Sequence, residues 1–309
     1  MMGVATEWSP FVDRSKEHMS PANENRKSKA ERTAEAREKA RLIREAQIKK
    51  DKRNKVFIGW GIVGAVVAIL VIVGLVVTTN IQQNTPIADQ GPVPASANVN
   101  GGVTLLANTE VKNGGGGSVD LANVPAKPDA VPSPLVAPGA EAEAGQPVKV
   151  VAYVDFICPV CKRFEDTYND ALTTLRNDGK ISLEYRPLGF LDRQSSTNYS
   201  SRAANAAACV ADTSPEKYAE YVDLLFTNQP AEGSAGLSDD KLKSMASDIG
   251  ANIGSCVDDK KFRPYVKYST TLAANTGITG TPTIFVDGKQ WDGTTDLNAD
   301  IQTAITAKG

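Results

Sequence analysis

The feature that most constrains this chain is an apolar segment of 22 residues, 56–77, which contains no charged side chain. A helix of that length is about 33 Å long, and the hydrocarbon core of a bilayer is about 30 Å thick. A cleavable leader has a shorter apolar region and a small-residue exit, whereas 55 residues precede this segment. The sequence therefore predicts a single transmembrane helix that divides the chain of 309 residues into two parts.

Charged residues are distributed unequally between those two parts. Of 34 Lys and Arg and 36 Asp and Glu, residues 1–55 hold 15 basic and 9 acidic residues, and residues 78–309 hold the other 19 and 27. By the positive-inside rule, this asymmetry favours a cytoplasmic N-terminus and an extracytoplasmic C-terminal part at a cell membrane. All four cysteines lie in that C-terminal part, where an oxidising compartment permits disulfides.

The two segments that flank the apolar segment do not predict a core of their own. Residues 1–55 are expected to be a solvated basic tail, helical in part, whose interleaved acidic residues argue against nucleic-acid binding. Residues 78–146 contain no Phe, Trp or Tyr and 8 of the 17 prolines, which predicts a flexible linker rich in Pro, Gly and Ala. Within it, residues 102–111 either remain linker or form an edge strand of the following domain.

Residues 147–309 have the pattern of a folded α/β domain. An apolar run at 148–156 predicts a buried strand, and a helix with one apolar face and a second strand follow it. Helical patterns then occupy about 190–276, before a last strand and helix. This order predicts a small α/β fold with an inserted helical subdomain.

Two cysteines separated by two residues, Cys158 and Cys161, lie directly between the first predicted strand and the first predicted helix. At a helix N-terminus, unpaired backbone N–H groups and the helix dipole favour a thiolate over a thiol. Pro159 suits the first helical position and steers Cys158 away from helical backbone angles, so we expect Cys158 to cap the helix with an exposed sulfur. The pattern predicts a redox pair that exchanges thiols and disulfides.

Metal binding and an inert structural disulfide are the other roles of such a pair. A zinc site requires a second cysteine pair or histidines at ligand spacing, but His18 in the N-terminal tail is the only histidine. Cys209 and Cys256 are 47 residues apart and form no pair motif. We therefore expect no metal and no cofactor, and we favour redox exchange over both alternatives.

Two segments flank the predicted helical insertion: residues 151–161, VAYVDFICPVC, and residues 277–288, GITGTPTIFVDG. With these segments the domain resembles the DsbA-like branch of thioredoxin-fold thiol:disulfide oxidoreductases, in a membrane-anchored bacterial form. The resemblance covers about 160 residues and implies a thioredoxin fold with an inserted helical subdomain. It also implies that Cys158 is the nucleophile and that Cys161 resolves the mixed disulfide.

The resemblance further implies a cis peptide bond between Thr281 and Pro282, where a substrate segment is held beside the cysteines. From the sequence alone, a proline at a strand start is also compatible with a trans turn. The chain departs from the family at Ala152, where thioredoxin-like proteins commonly bear a buried acid, and it lacks the histidine that strong oxidants often place between the cysteines. Asp155, three residues before Cys158, is expected to cap the helix or, alternatively, to relay a proton.

Cys209 and Cys256 both fall in the predicted helical insertion. In an extracytoplasmic domain two further cysteines are more often paired than free, so we expect a structural disulfide between them. Two free buried thiols and a second redox pair are the alternatives. Neither cysteine lies at a predicted strand-to-helix junction, which argues against the second redox pair.

Three functions are compatible with this sequence. The resemblance favours a monomeric, membrane-anchored oxidase that forms disulfides in exported proteins through Cys158 and Cys161 and is reoxidised by a quinone-linked membrane partner. The second is a disulfide reductase or isomerase, or a dedicated redox partner of one client pathway. The third is a non-catalytic module that binds peptides at Pro282. The intact cysteine pair argues against the third, and the lack of a dimerisation module at 78–146 argues against an isomerase.

Overall fold

The structure, a computed structural model, describes residues 29–50, 67, 69 and 86–308. The chain divides into two compact units, Met1–Thr78 and Thr79–Gly309, and each is described by itself. In the first unit, residues 29–50 form a helix, α1, whose side chains are exposed throughout. For residues 29–50 this agrees with the prediction of a solvated tail that is helical in part, and the rest of that tail lies outside the described residues.

Nearly all of the apolar segment at 56–77 lies outside the described residues, so the transmembrane helix stays a prediction. The two residues of this segment that are described, Val67 and Ile69, are helical and exposed. Within the part of the chain that the structure describes, no helix combines the length and the apolarity that crossing a bilayer requires.

Within residues 86–308, the second unit is built on a mixed sheet of five strands. Its central strand is β4, Val148–Val154, which is almost entirely buried and pairs in parallel with β5, Ile181–Pro187. On the other side of β4 lies antiparallel β6, Thr283–Val286, followed by β7, Lys289–Gln290. At the opposite edge, β2, Val103–Leu105, pairs antiparallel with β5, so the strand order is β2-β5-β4-β6-β7.

A helix connects the parallel strands β4 and β5, as parallel pairing requires. This helix is α2, Pro159–Asn177, and Pro159 occupies its first turn, where the missing N–H costs no hydrogen bond. Phe164 and Leu172 lie on its buried face, and the helix packs on β5. The last helix, α8, Leu297–Lys308, packs on β4 and β6.

The stretch between β5 and β6, which the structure describes without a gap, contains five α-helices. They are α3 (Tyr199–Thr213), α4 (Tyr218–Thr227), α5 (Asp239–Asp248), α6 (Gly254–Asp258) and α7 (Arg263–Thr276). The central helix of the group is α3, which is buried along most of its length and contacts the other four. The predicted order of strand, helix, strand, helical insertion, strand and helix is thereby confirmed.

The prediction that residues 78–146 form a flexible linker is wrong for residues 86–146. Two short strands, β1 (Gln90–Pro92) and β3 (Ser118–Asp120), pair as a ribbon that contacts α7, and β2 supplies the edge strand. The segment buries these apolar side chains: Val93, Ala97, Val103, Leu105, Val119, Ala137 and Ala140. Such a composition cannot build a core alone, but its few aliphatic residues can complete a core that the rest of the domain supplies.

Candidate active site

Cys158 and Cys161 lie at the junction of β4 and α2, as the sequence predicts. Cys158 directly precedes α2 with extended backbone angles, φ −74° and ψ 116°, and its side chain makes no capping hydrogen bond. Both cysteines are free thiols in this structure. Cys161 is fully buried and Cys158 is only 6% exposed. The expectation of an exposed cysteine here is wrong, because Thr281 and Gln229 lie against Cys158.

Thr281 and Pro282, which directly precede β6, lie beside the cysteine pair. The peptide bond between them is cis, and the carbonyl oxygen of Thr281 lies 3.3 Å from Sγ of Cys158, where it accepts a hydrogen bond from the protonated form of that thiol. The backbone N–H of Asp155 donates to Sγ of Cys161 at 3.5 Å. The fold thus brings together two segments whose residues, Cys158 and Thr281, are 123 positions apart.

The surroundings of the two thiols change their acidity in opposite directions. A hydrogen bond from the Cys161 thiol, assisted by the backbone N–H groups of Cys161 and Val160, lowers the pKa of Cys158 to about 6 in spite of burial. Burial, and then the neighbouring Cys158, raises the pKa of Cys161 well above its ordinary value. At neutral pH the pair therefore consists of a Cys158 thiolate and a Cys161 thiol, which suits a nucleophile and a resolving cysteine.

Asp155 does not cap α2, so that expectation is wrong. Its carboxylate is fully buried and accepts hydrogen bonds from the backbone N–H groups of Ile157 (3.1 Å) and Leu191 (3.0 Å). These bonds close the turn before the cysteines and tie it to the loop after β5. Burial raises the pKa of Asp155 to about 6, although hydrogen bonds from Ser200, Leu191 and Ile157 act in the opposite direction.

Glu165 is a buried acid that the sequence analysis did not identify. It lies on the buried face of α2, one helical turn after Cys161. The hydroxyl of Tyr185 donates to its Oε2 at 2.8 Å, and its buried Oε1 has no hydrogen-bond partner among the described residues. Burial raises the pKa of Glu165 to about 8, although the Tyr185 bond lowers it. The available signal was a carboxylate within the apolar stripe of the predicted helix.

Gln229, which follows α4, also contacts the pair and was not predicted. Its Nε2 donates a hydrogen bond of 3.0 Å to the carbonyl oxygen of Cys158. Close by in sequence, the ring of Phe226 packs on that of Phe156 with centroids 5.2 Å apart. No local pattern marks Gln229, because the contact forms only when the helical insertion folds against the start of α2.

Cys209 on α3 and Cys256 on α6 are joined by a disulfide, with their Cα atoms 5.9 Å apart. This bond cross-links two helices of the insertion and uses neither cysteine of the candidate site. Among the residues that the structure describes, no three His, Cys, Asp or Glu side chains are grouped so as to hold a metal ion.

The profile of a protein family described as thioredoxin matches residues 141–307, which is more than half of the chain. The chain therefore belongs to this thioredoxin family, and the thioredoxin fold that the sequence resemblance implied is confirmed.

Similar proteins occur in mycobacteria. The serine/threonine-protein kinase PknE of Mycobacterium tuberculosis is 33% identical over 161 residues, which cover 49% of this chain and 28% of the kinase. The chain thus spans less than a third of the length of these curated relatives. Reduced DsbA of the same organism is 29% identical, with a TM-score of 0.47, over 58% of this chain and 92% of that one. The reduced disulfide bond oxidoreductase DsbG of Mycobacterium tuberculosis is 28% identical, with a TM-score of 0.48. The match covers 60% of this chain and 90% of that one.

Proposed function

We propose that the protein is a thiol:disulfide oxidase that forms disulfides in exported proteins through Cys158 and Cys161. The observation that carries this proposal is the pairing of a Cys158 thiol, whose pKa is about 6, with a Cys161 thiol whose pKa is raised. A disulfide is oxidising when its reduced form is stabilised, and a thiolate held at neutral pH stabilises the reduced form. The asymmetry of the pair therefore supports disulfide transfer to clients.

In the proposed reaction, two electrons pass from the client to the cysteine pair. A client thiolate attacks Sγ of Cys158 in the oxidised pair, and Cys161 leaves as a thiolate that takes up a proton. A second client thiolate then attacks the client sulfur of the mixed disulfide. The client disulfide forms and Cys158 leaves as a thiolate, so the cysteine pair ends in its reduced form.

Two further groups have roles in this proposal. Asp155 relays the proton of Cys161, which is supported by the burial of its carboxyl group and its pKa of about 6. Ala152 leaves no acid at the position where relatives commonly carry one. Thr281 and Pro282 hold an extended client segment next to Cys158, which is supported by the contact of the Thr281 carbonyl with the sulfur.

The proposed location is the outer face of a cell membrane, with the segment at 56–77 as a single-pass anchor and the N-terminus in the cytoplasm. The charge asymmetry around that segment supports this orientation. The disulfide between Cys209 and Cys256 adds support, because such bonds persist in oxidising compartments. Exported proteins with cysteines are then the clients of a monomer, and a quinone-linked membrane partner reoxidises it.

A reductase or isomerase, or a redox partner of one client pathway, is the second candidate. The observation in its favour is the pair Pro159-Val160, which places no cation between the cysteines. A non-catalytic peptide-binding module is disfavoured, because such a module has no use for a stabilised thiolate at Cys158.

The deciding experiment is equilibration of the purified protein with glutathione buffers, followed by trapping of free thiols. An oxidase should be reduced by glutathione readily, and its oxidised form should oxidise a reduced test protein without added glutathione. The Cys158→Ser variant should do neither. A pair that stays disulfide against excess reduced glutathione would favour the reductase. A wild type without any exchange would exclude all of these enzymes.

A further inference from the structure

Gln229 contacts Cys158 at its backbone, whereas Thr281 contacts the same residue at its sulfur. The carbonyl oxygen of Cys158 accepts the first hydrogen bond of α2, from the N–H of Lys162 at 3.2 Å. Nε2 of Gln229 donates to this oxygen at 3.0 Å. Because a carbonyl oxygen has two lone pairs, the two donors together saturate it.

The packing of α4 sets the position of Gln229. The backbone N–H of Gln229 donates to the carbonyl oxygen of Phe226 at 3.2 Å, at the end of this helix. Phe226 is buried and its ring packs on that of Phe156, two residues before Cys158. The helical insertion therefore holds the carboxamide against the reactive turn through a packed aromatic pair.

A donor at the Cys158 carbonyl also changes the electrostatic potential at the sulfur of the same residue. The carbonyl oxygen carries partial negative charge, which disfavours a thiolate nearby, and an N–H dipole directed at that oxygen offsets the charge. Pro159 has no N–H, so the backbone donors that favour the thiolate come from Val160 and Cys161. The carboxamide of Gln229 adds one more donor from outside α2.

We propose that Gln229 is a positioning residue that fixes the turn at Cys158 and favours its thiolate form. By this route the helical insertion adjusts the oxidising strength of the pair. The consequence for oxidising strength rests on the proposed function, whereas the effect on the thiolate is measurable without any client.

The test compares full-length wild type with three variants in the reduced state, by the pH dependence of thiolate absorbance. Gln229→Met keeps the length of the side chain but removes the donor, and it should lower the ratio of thiolate to thiol about threefold at a given pH. Gln229→Glu places a negative charge near the sulfur and should lower the ratio about tenfold. Asn228→Ala is the matched control, because its carboxamide bonds to Leu224 of its own helix at 2.9 Å.

Equal ratios in wild type and Gln229→Met, or equal changes in Gln229→Met and Asn228→Ala, would overturn the proposal. Circular dichroism checks that each variant is folded. In glutathione buffers at neutral pH, Gln229→Met should shift the equilibrium about threefold toward the disulfide, in proportion to the lost thiolate. If Gln229→Met lowers the thiolate ratio as expected but the wild type exchanges no disulfides, the proposed function is refuted and the role of Gln229 still holds.

Discussion

Cys158 and Cys256 are almost equally exposed, at 6% and 7%, although only the first belongs to the proposed redox pair. Exposure therefore does not separate the reactive cysteine from the structural one, contrary to the expectation of an exposed sulfur at the helix end. The stability of the reduced form separates the two pairs, because the low pKa of Cys158 holds a thiolate that stabilises the opened Cys158–Cys161 pair. Mild reductant should accordingly open the pair that contains Cys158 first.

Cys158 should contribute more to the stability of the reduced protein as the pH rises from about 6 to 9. The folded pKa of Cys158, about 6, lies below its ordinary value of 9.0. Between these values the unfolded chain binds a proton that the folded chain does not, so the contribution of Cys158 to stability increases with pH. Urea unfolding of reduced wild type and Cys158→Ser should show a stability difference that grows over this range. A constant difference would contradict the assigned acidity.

Glu165 should act on stability with the opposite sign. Its folded pKa of about 8 exceeds the ordinary value of 4.5, so the folded chain holds the extra proton between these values. Its contribution is present below about pH 4.5 and is lost as the pH rises toward 8. Glu165→Gln, which keeps an uncharged partner for Tyr185, should unfold with a weaker decline across this window in urea titrations. Parallel pH profiles would show that Glu165 ionises normally.

At the scale of secondary structure elements, the segment at 86–146, which precedes β4, helps to stabilise a buried charge on β5. The carboxylate of Glu184 on β5 is fully buried, and it forms ion pairs with Arg186 at 2.6 Å and Lys149 at 2.7 Å. Thr104 on β2 and Asn98 before it donate two further hydrogen bonds, at 2.7 and 3.0 Å. A buried charge is tolerated when ion pairs and hydrogen bonds satisfy all of its polar atoms. The hydrogen bonds from Thr104 and Asn98 therefore help to stabilise the buried carboxylate of Glu184.

Truncation of a buried side chain on β2 should therefore destabilise the domain. Leu105 is 2% exposed, and Leu105→Ala should lower the free energy of unfolding by about 3 kcal/mol through lost burial and a cavity. Val99→Ala is the control, because Val99 is 51% exposed and should be nearly neutral. Denaturant unfolding measures both. Neutral results at both positions would restore the linker interpretation.

The disulfide between α3 and α6 should stabilise the fold without taking part in exchange. It closes a loop with a sequence separation of 47, and loss of such a bond costs about 4 kcal/mol on the chain-entropy estimate. The Cys209→Ala/Cys256→Ala double variant should unfold at lower denaturant while its Cys158 thiolate titrates as in wild type. Loss of exchange in a variant that is still folded would indicate that this bond also has a redox role.

For the whole molecule, the ordered segment at 86–146 changes what limited proteolysis should release. If the segment at 56–77 spans the membrane with the C-terminal part outside, protease added to intact cells should leave a folded fragment of roughly 220 residues, because packed backbone resists cleavage. A linker up to residue 146 would leave about 160 residues instead. Mass analysis of the fragment distinguishes the two, and protection of the domain until lysis would exclude this orientation.

Local patterns in the sequence determined the order of the elements, the start of α2 at Pro159 and the placement of Cys158 and Cys161 between strand and helix. They succeeded because each depends on neighbours within a few residues: apolar periodicity defines a buried face, and a proline limits its own backbone and the residue before it. The juxtaposition of Thr281 and Pro282 with the cysteines came from the family resemblance, since no spacing in the sequence predicts contact across the helical insertion.

Only the tertiary structure decided the surroundings of the site: the burial of Cys158, the raised pKa of Glu165, the partners of Asp155 and the contact from Gln229. It also decided that residues 86–146 are ordered. These properties depend on which distant surfaces exclude water from a group. Composition does not predict this exclusion of water, because the same aliphatic residue or carboxylate behaves differently when the rest of the domain covers it.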